Sequence, residues 1–239
     1  MDEQLLAWFA EHGRDLPWRR TRDPYAILVS EVMLQQTQVE RVLPRWERWL
    51  ARWPDVDALA RESPAQVIRE WHGLGYNRRA INLHRAAQRV AAEGWPDDLT
   101  MLPGVGAYTA SALRAFAWGD DVLPVDTNIA RVQERTRHAF APRCAQALFD
   151  LGREICIARV PRCESCPLAR GCPSRGRRYE PLRKQSRFEG SFRQRRARVL
   201  RLVAGGEQPD DPEAIAALER DGLVVTHGGR VSLPEFTNS

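Results

Sequence analysis

Apolar residues recur at intervals of three and four along most of this chain, the period of helices that bury one face. Asp23-Pro24 reads as an N-cap followed by proline at the first helical position. The helix it opens is expected to run through Ile27, Leu28, Glu31, Leu34 and Gln38 toward Val42, with Pro44 and Pro54 as punctuation. Ser63-Pro64 opens another, through Val67, Ile68 and Trp71, which Gly73-Leu74-Gly75 ends. Arg78 to Ala92 keeps the same period. No alternating strand pattern, internal repeat or long low-complexity segment appears before residue 200. Residues 199–235 read as two short helices, then two apolar runs, Gly222 to Thr226 and Arg230 to Leu233, around His227-Gly228-Gly229. That order is winged-helix-like.

Composition narrows the class. A chain of 239 residues can hold one large domain or two smaller ones. Its 43% hydrophobic and 28% charged residues make an ordinary globular balance. No apolar run approaches the roughly 18 residues of a membrane span. The opening Met1 to Trp8 is acidic and amphipathic, unlike a signal peptide. The expectation is a cytoplasmic protein with no membrane partner. The formal charge of +5 favours a polyanion partner. The densest charge run, Ser174 to Arg198, carries ten basic and two acidic residues and reads as a linker or basic arm. Of the 36 basic residues only Lys184 is a lysine, so a Schiff-base mechanism has one lysine side chain to draw on.

Four of the five cysteines fall within seventeen residues: Cys156, Cys163, Cys166 and Cys172, spaced C-x6-C-x2-C-x5-C. An odd total in a cytoplasmic chain argues against a disulfide framework. Zinc tolerates four thiolates, but zinc ribbons place two C-x2-C knuckles far apart. A single C-x2-C with two longer arms is a compact loop around a larger object, which suits a [4Fe-4S] cluster. Zinc and unligated thiols remain the alternatives. Six arginines from Arg159 to Arg178 surround the four, and would offset an anionic cluster or reach a phosphate backbone. Cys144 lies outside the spacing and reads as a small buried apolar residue.

Leu102-Pro103-Gly104-Val105-Gly106 is a glycine-bearing turn between helices. Its glycines permit close backbone approach, and the following helix N-terminus favours an anion. A plain interhelical turn needs the same glycines. Asp126, after Val122-Leu123-Pro124-Val125, has the position of an ordinary N-cap.

The order hairpin, aspartate, four clustered cysteines resembles the helix-hairpin-helix DNA glycosylase superfamily, in its endonuclease III and MutY branch. The resemblance covers about residues 5–175. Ser30-Glu31-Val32-Met33-Leu34-Gln35-Gln36-Thr37-Gln38 resembles the helix of the MutY-type adenine glycosylases, and Arg14-Asp15-Leu16-Pro17-Trp18-Arg19 their N-terminal segment. Gly73-Leu74-Gly75-Tyr76 and Asn82-Leu83-His84 match between them. Tyr108 stands where endonuclease III-like enzymes carry a lysine. The resemblance implies a monofunctional glycosylase of base excision repair. It would hydrolyse the N-glycosidic bond of adenine mispaired with 8-oxoguanine or guanine, without strong lyase activity.

The implied roles follow. Glu31 would protonate the adenine from a low-dielectric pocket, and Asp126 would stabilise the cationic sugar, supported by Tyr108 and Asn128. Trp18, Arg19 and Gln146 would line the pocket for a base that must leave the stack. Gln36 would enter the stack near the opposite base, with Tyr76 as a wedge. Leu102, Gly104 and Gly106 would carry the hairpin's backbone contacts to DNA. The partner is double-stranded DNA with a mismatch or lesion, met by a monomer in the bacterial nucleoid. Two other readings stay open: the same fold acting on thymine or uracil opposite guanine, and a non-catalytic iron–sulfur damage sensor.

The expected architecture is all-α and two-lobed, with a DNA groove between the lobes. Residues 1–22 and 139–175 would form one lobe with the cluster loop, and 23–138 a helical barrel with the hairpin. A basic linker, 176–198, would lead to the winged-helix-like segment 199–239. Four departures from the family pattern stand out. Too few residues follow the cluster for the NUDIX-like domain that reads 8-oxoguanine. Asp126-Thr127-Asn128 replaces the common Asp-Gly-Asn, and Asn77 the aromatic that often follows Tyr76. Arg131 to Gln146 is too short for the extra helix most relatives carry there.

Overall fold

The computed structural model describes residues 1–180 and 187–235. Lys184, with part of the expected basic linker, lies outside them. Eleven α-helices and one β-hairpin make up the described residues. Among these, no helix is long and apolar enough to cross a membrane. The chain divides into two compact units, Met1–Ile27 with Gly106–Lys184, and Leu28–Val105 with Gln185–Ser239. Two of the three boundaries fall inside the span 23–138 that the sequence reading kept together: one within a helix, the other within the glycine turn.

The first unit holds α1 (Asp2–His12), α7 (Ala107–Leu113), α8 (Thr127–Thr136) and α9 (Ala145–Glu154). Leu5 of α1 is fully buried against Ile129, Val132, Leu148 and Leu151 of α8 and α9, with Cys144 at zero exposure among them. Asp2 ties the start of the chain to the α8–α9 connection, bonding His138 Nε2 at 2.7 Å and accepting from the Ala141 N–H at 3.1 Å. That connection holds a single 3₁₀ turn, Pro142–Cys144, and no extra helix.

The helix that begins after Asp23 is α2, Pro24–Leu34, and it crosses the unit boundary at Ile27. Asp23 caps it, its carboxylate accepting from the Tyr25 and Ala26 N–H groups. The expectation that it continues toward Val42 is corrected here. It stops at Leu34, the backbone turns left-handed at Gln36, and α3 (Val39–Arg52) starts afresh after Gln38. Pro44 lies inside α3 rather than ending a helix. It forgoes one bond to the carbonyl of Glu40, an exposed residue, so the loss is small.

In the second unit α4 (Val56–Ala60), α5 (Pro64–Glu70) and α6 (Arg78–Glu93) follow. Ser63 caps α5 through the Gln66 N–H, with Pro64 at the first helical position as expected. After residue 187 come α10 (Phe192–Ala204), α11 (Pro212–Arg220) and an antiparallel pair, β1 (Val225–His227) with β2 (Arg230–Ser232). Gly228 and Gly229 both take positive φ, as a two-residue hairpin turn of this register requires. The order helix, helix, hairpin is the one read from the sequence. Its apolar face packs with Ala65, Ile68 and Ile81 of α5 and α6 in one shared core.

Candidate active site

Glu31 is the one charged residue in α2, and only 8% of it is exposed. Its helix neighbours Leu28, Val29 and Val32 are almost wholly buried. A helix apolar on nearly every side is a core helix, and an acid within it is held in low dielectric. Two residues that the sequence reading assigned to the DNA stack follow on exposed turns. Gln36 has φ +56° and Tyr76 φ +46°, and Tyr76 is 44% exposed.

The glycine turn has two kinds of glycine. Gly104 takes φ +80°, and a Cβ there would stand 2.8 Å from that of Asn82. The fold therefore requires it. Leu102 and Val105 on either side are buried, and the Val105 N–H donates to the Leu102 carbonyl at 3.1 Å. Gly106 has an ordinary extended backbone, and nothing lies within 4 Å of where its Cβ would be. The fold does not demand glycine there, while a backbone that a ligand must approach closely does.

Asp126 is half-buried and caps α8. Its Oδ1 accepts from the N–H groups of Asn128 (2.9 Å) and Ile129 (2.7 Å), and its Oδ2 from Asn128 Nδ2 (2.8 Å). The carboxylate is thus fixed in one orientation by its own helix. Asn128 Oδ1 accepts in turn from Arg131 Nη2 at 2.8 Å, and Arg131 also donates to the carbonyls of Gly152 and Cys156. A hydrogen-bonded line therefore runs from the aspartate to the first of the four clustered cysteines. The half-buried Tyr108, on α7, meets Phe149 edge-on at 6.4 Å.

Trp18 and Arg19 lie on a 3₁₀ turn, Pro17–Arg19, with Trp18 buried. Arg19 reaches Asp150 of α9 with both terminal nitrogens, at 2.8 and 2.9 Å. Arg14 joins through its backbone N–H and its guanidinium. Asp150 is fully buried; burial raises its pKa, but the hydrogen bonds and charges of Arg19 and Arg14 outweigh this and hold the carboxyl below its ordinary value. Gln146 is one turn before Asp150 on the same helix, half-buried.

Cys156, Cys163, Cys166 and Cys172 line one cavity, walled by Val132, Leu151, Ile155 and Leu168. The Gly176 N–H donates to Cys163 Sγ at 3.2 Å, and Arg135 Nη1 to Cys156 Sγ at 3.5 Å. Burial, with a smaller push from the other three cysteines and against a backbone hydrogen bond at Leu168, raises the Cys166 thiol to about 11. Among the described residues no group of three His, Cys, Asp or Glu side chains is arranged to hold a metal ion. The sulfurs are spread around a cavity wall.

Residues 29–143 match the model of the HhH-GPD superfamily base excision DNA repair proteins. The adenine DNA glycosylase of Mycobacterium tuberculosis (strain H37Rv) is 38% identical to this chain, over 98% of it and 93% of the relative. The chain belongs to the adenine DNA glycosylase family. The human member is 36% identical over 72% of this chain and 39% of its own length. The mycobacterial match runs over 284 positions, more than the 239 residues here, so that relative carries segments this chain lacks. A thermostable thymine-DNA glycosylase has a similar structure, with TM-score 0.65 and 26% identity over 72% of this chain and 93% of its own. An endonuclease III trapped on DNA shares the fold, with TM-score 0.62 and 21% identity over 72% of this chain and 92% of its own. The all-α helix-hairpin-helix glycosylase fold expected from the sequence is the one found.

Within this family frame, four residues had escaped the sequence reading. Arg14 appeared only as part of a motif and Arg131 only as the end of a span, and Asp150 and Gly152 not at all. Nothing local marks Asp150, whose partners lie 131 and 136 positions away. Gly152 is recognisable only in three dimensions, where its missing Cβ makes room for Asn128. Arginine does stand beside the cysteines, and one that bonds a sulfur, Arg135 of α8, lies outside the run that follows the first cysteine.

Proposed function

We propose that this chain hydrolyses the N-glycosidic bond of adenine mispaired with 8-oxoguanine or guanine in double-stranded DNA, and leaves the strand uncut. The observation that carries the reading is Glu31, an acid buried in an otherwise apolar helix of a member of this family. A carboxyl so placed, shielded from water, has the position of a general acid. It gives its proton to the adenine ring, and the bond between the base and the sugar breaks with its electron pair going to the base. The positive charge left on the sugar is met by Asp126, whose orientation is set by Asn128 and the α8 N-terminus. Water adds to the sugar carbon and loses a proton, giving free adenine and an abasic site. A lyase step through an imine would need an amine at the sugar, where the family pattern puts Tyr108.

The pocket proposed for the extruded base is the Trp18, Arg19 and Gln146 region, with Arg14 and Asp150 as its charged support. Gln36, Tyr76 and the hairpin at Leu102, Gly104 and Gly106 would hold the duplex, the last through backbone donors that read no sequence.

The four cysteines fit a [4Fe-4S] cluster. They line one cavity with apolar walls, and a backbone N–H and a guanidinium point at two of the sulfurs. When bound, the cluster would crosslink residues 156–172 by four thiolate bonds. Cys166→Ser is expected to lose the cluster's visible absorbance and much of the DNA affinity while keeping its far-UV spectrum. Unchanged binding would exclude a structural role in DNA contact.

The test is single-turnover excision on duplexes with adenine opposite 8-oxoguanine, guanine or cytosine, and with thymine or uracil opposite guanine, each with and without alkali. Alkali-dependent cleavage at adenine opposite 8-oxoguanine, abolished in Glu31→Gln, is the expected result. Cleavage confined to thymine or uracil would favour the mismatch reading, to which the likeness to the thymine-DNA glycosylase gives support.

A further inference from the structure

Gln36 and Tyr76 share a backbone state that L-residues seldom keep. Glycine would be the ordinary choice at either place, and yet both carry large side chains exposed to water. Such a residue stays left-handed only where its surroundings hold it there. One side chain reaches both turns. Arg79, in the first turn of α6, is 9% exposed. Its Nη1 donates to the carbonyls of Val32 (2.7 Å), Met33 (3.0 Å) and Gln35 (2.6 Å), where α2 and its last carbonyls give way to the Gln36 turn. Its Nη2 donates to Thr37 Oγ1 (3.0 Å) and to the Gly75 carbonyl (3.0 Å). Gln35 and Thr37 flank Gln36; Gly75 precedes Tyr76. The guanidinium carbon lies 5.2 Å from the centre of the Trp71 ring and 5.6 Å from that of Tyr76, within cation–π range of both.

A planar fork with five N–H donors can serve two turns at once, which a single ammonium cannot. Every group named belongs to residues 28–105, within one unit. We propose that Arg79 is a positioning residue for base extrusion: it locks Gln36 and Tyr76 together in the exposed turns from which they enter the base stack. The role rests on the function proposed above, which supplies the task of those two side chains. It predicts that Arg79 matters for opening the duplex and hardly at all for breaking the bond.

The experiment uses the full chain. In a Glu31→Gln background, which stops the chemistry, 2-aminopurine is placed beside the mismatched adenine, and its emission rises when neighbouring bases unstack. Arg79→Met keeps the bulk of the stem and removes every donor. It should abolish most of the rise while binding the duplex within about three-fold of its parent. With Glu31 restored, Arg79→Met should excise adenine from a duplex about ten-fold or more slowly. On single-stranded DNA, where the base is already unstacked, its rate should match that of the parent. Arg79→Lys, which keeps the charge but not the fork, should lose part of the rise and decides the matter if the methionine variant does not fold. A full rise in either variant overturns the proposal. So does equal loss on duplex and single strand, which would mark a merely structural arginine. Failure of the parent to excise any base would overturn the proposed function instead. The emission arm, read without chemistry, would still judge Arg79.

Discussion

Asp150 shows how little of a buried charge is visible from its surroundings in the chain. Leu148, Phe149 and Leu151 read as one apolar stretch of α9, and an aspartate among them would pass for a solvated position. Its two guanidiniums come from the N-terminal segment, more than 130 residues earlier. Removing the carboxylate would leave those cations facing each other, one of them largely buried, at a cost of about 3–5 kcal/mol. Asp150→Asn should therefore melt well below the parent. The pH dependence has a definite sign. A carboxyl held below its ordinary value stabilises the fold at pH above about 4 and loses that contribution as pH falls through its folded value. Below pH 4 the melting temperature of the parent should fall more steeply than that of Asp150→Asn; parallel curves would show that the pair does not matter. Asp126, by contrast, was legible as a cap, since its hydrogen bonds are to the two and three residues that follow it.

Among the elements, caps and prolines marked the starts of α2, α5 and α8, because those signals act within four residues. The break between α2 and α3 was not legible. No glycine or proline marks Gln36, and the turn is stabilised by the distant Arg79. The packing of α8 on α9 was equally hidden. Gly152 lies in the interior of α9, where alanine ordinarily adds about 0.5–1 kcal/mol of stability. Here the added Cβ would meet Asn128 Cβ at 2.8 Å and its carbonyl oxygen at 3.3 Å. Gly152→Ala should thus lower the melting temperature, and it should also slow excision, because Asn128 holds Asp126. A more stable variant with full activity would show that the two helices part easily.

At the scale of the whole molecule the order of hairpin, aspartate and four cysteines resembled a DNA glycosylase superfamily, and the chain belongs to the adenine DNA glycosylase family, because that order survives in the linear sequence. The assignment of residues 199–235 was not complete in the same way. They share their apolar core with Ala65, Ile68 and Ile81 and so belong to the unit that carries Glu31. Removing residues 187–239 should uncover that face. The truncated protein is expected to aggregate or to lose cooperative unfolding of residues 28–105; a soluble, fully active product would refute this.

The same pairing of early with late residues holds in both units, and it has a consequence for synthesis. Leu5 needs Ile129 and Leu148, and Ile68 needs Val199 and Leu218. A ribosome adding about 5–20 residues per second takes of order ten seconds or more to travel from the first member of each pair to the second. For that interval the nascent chain carries half-cores with nothing to close on. Apolar helix faces stay exposed until the later partners emerge, and the yield in the cell should depend on whatever shields them in the meantime.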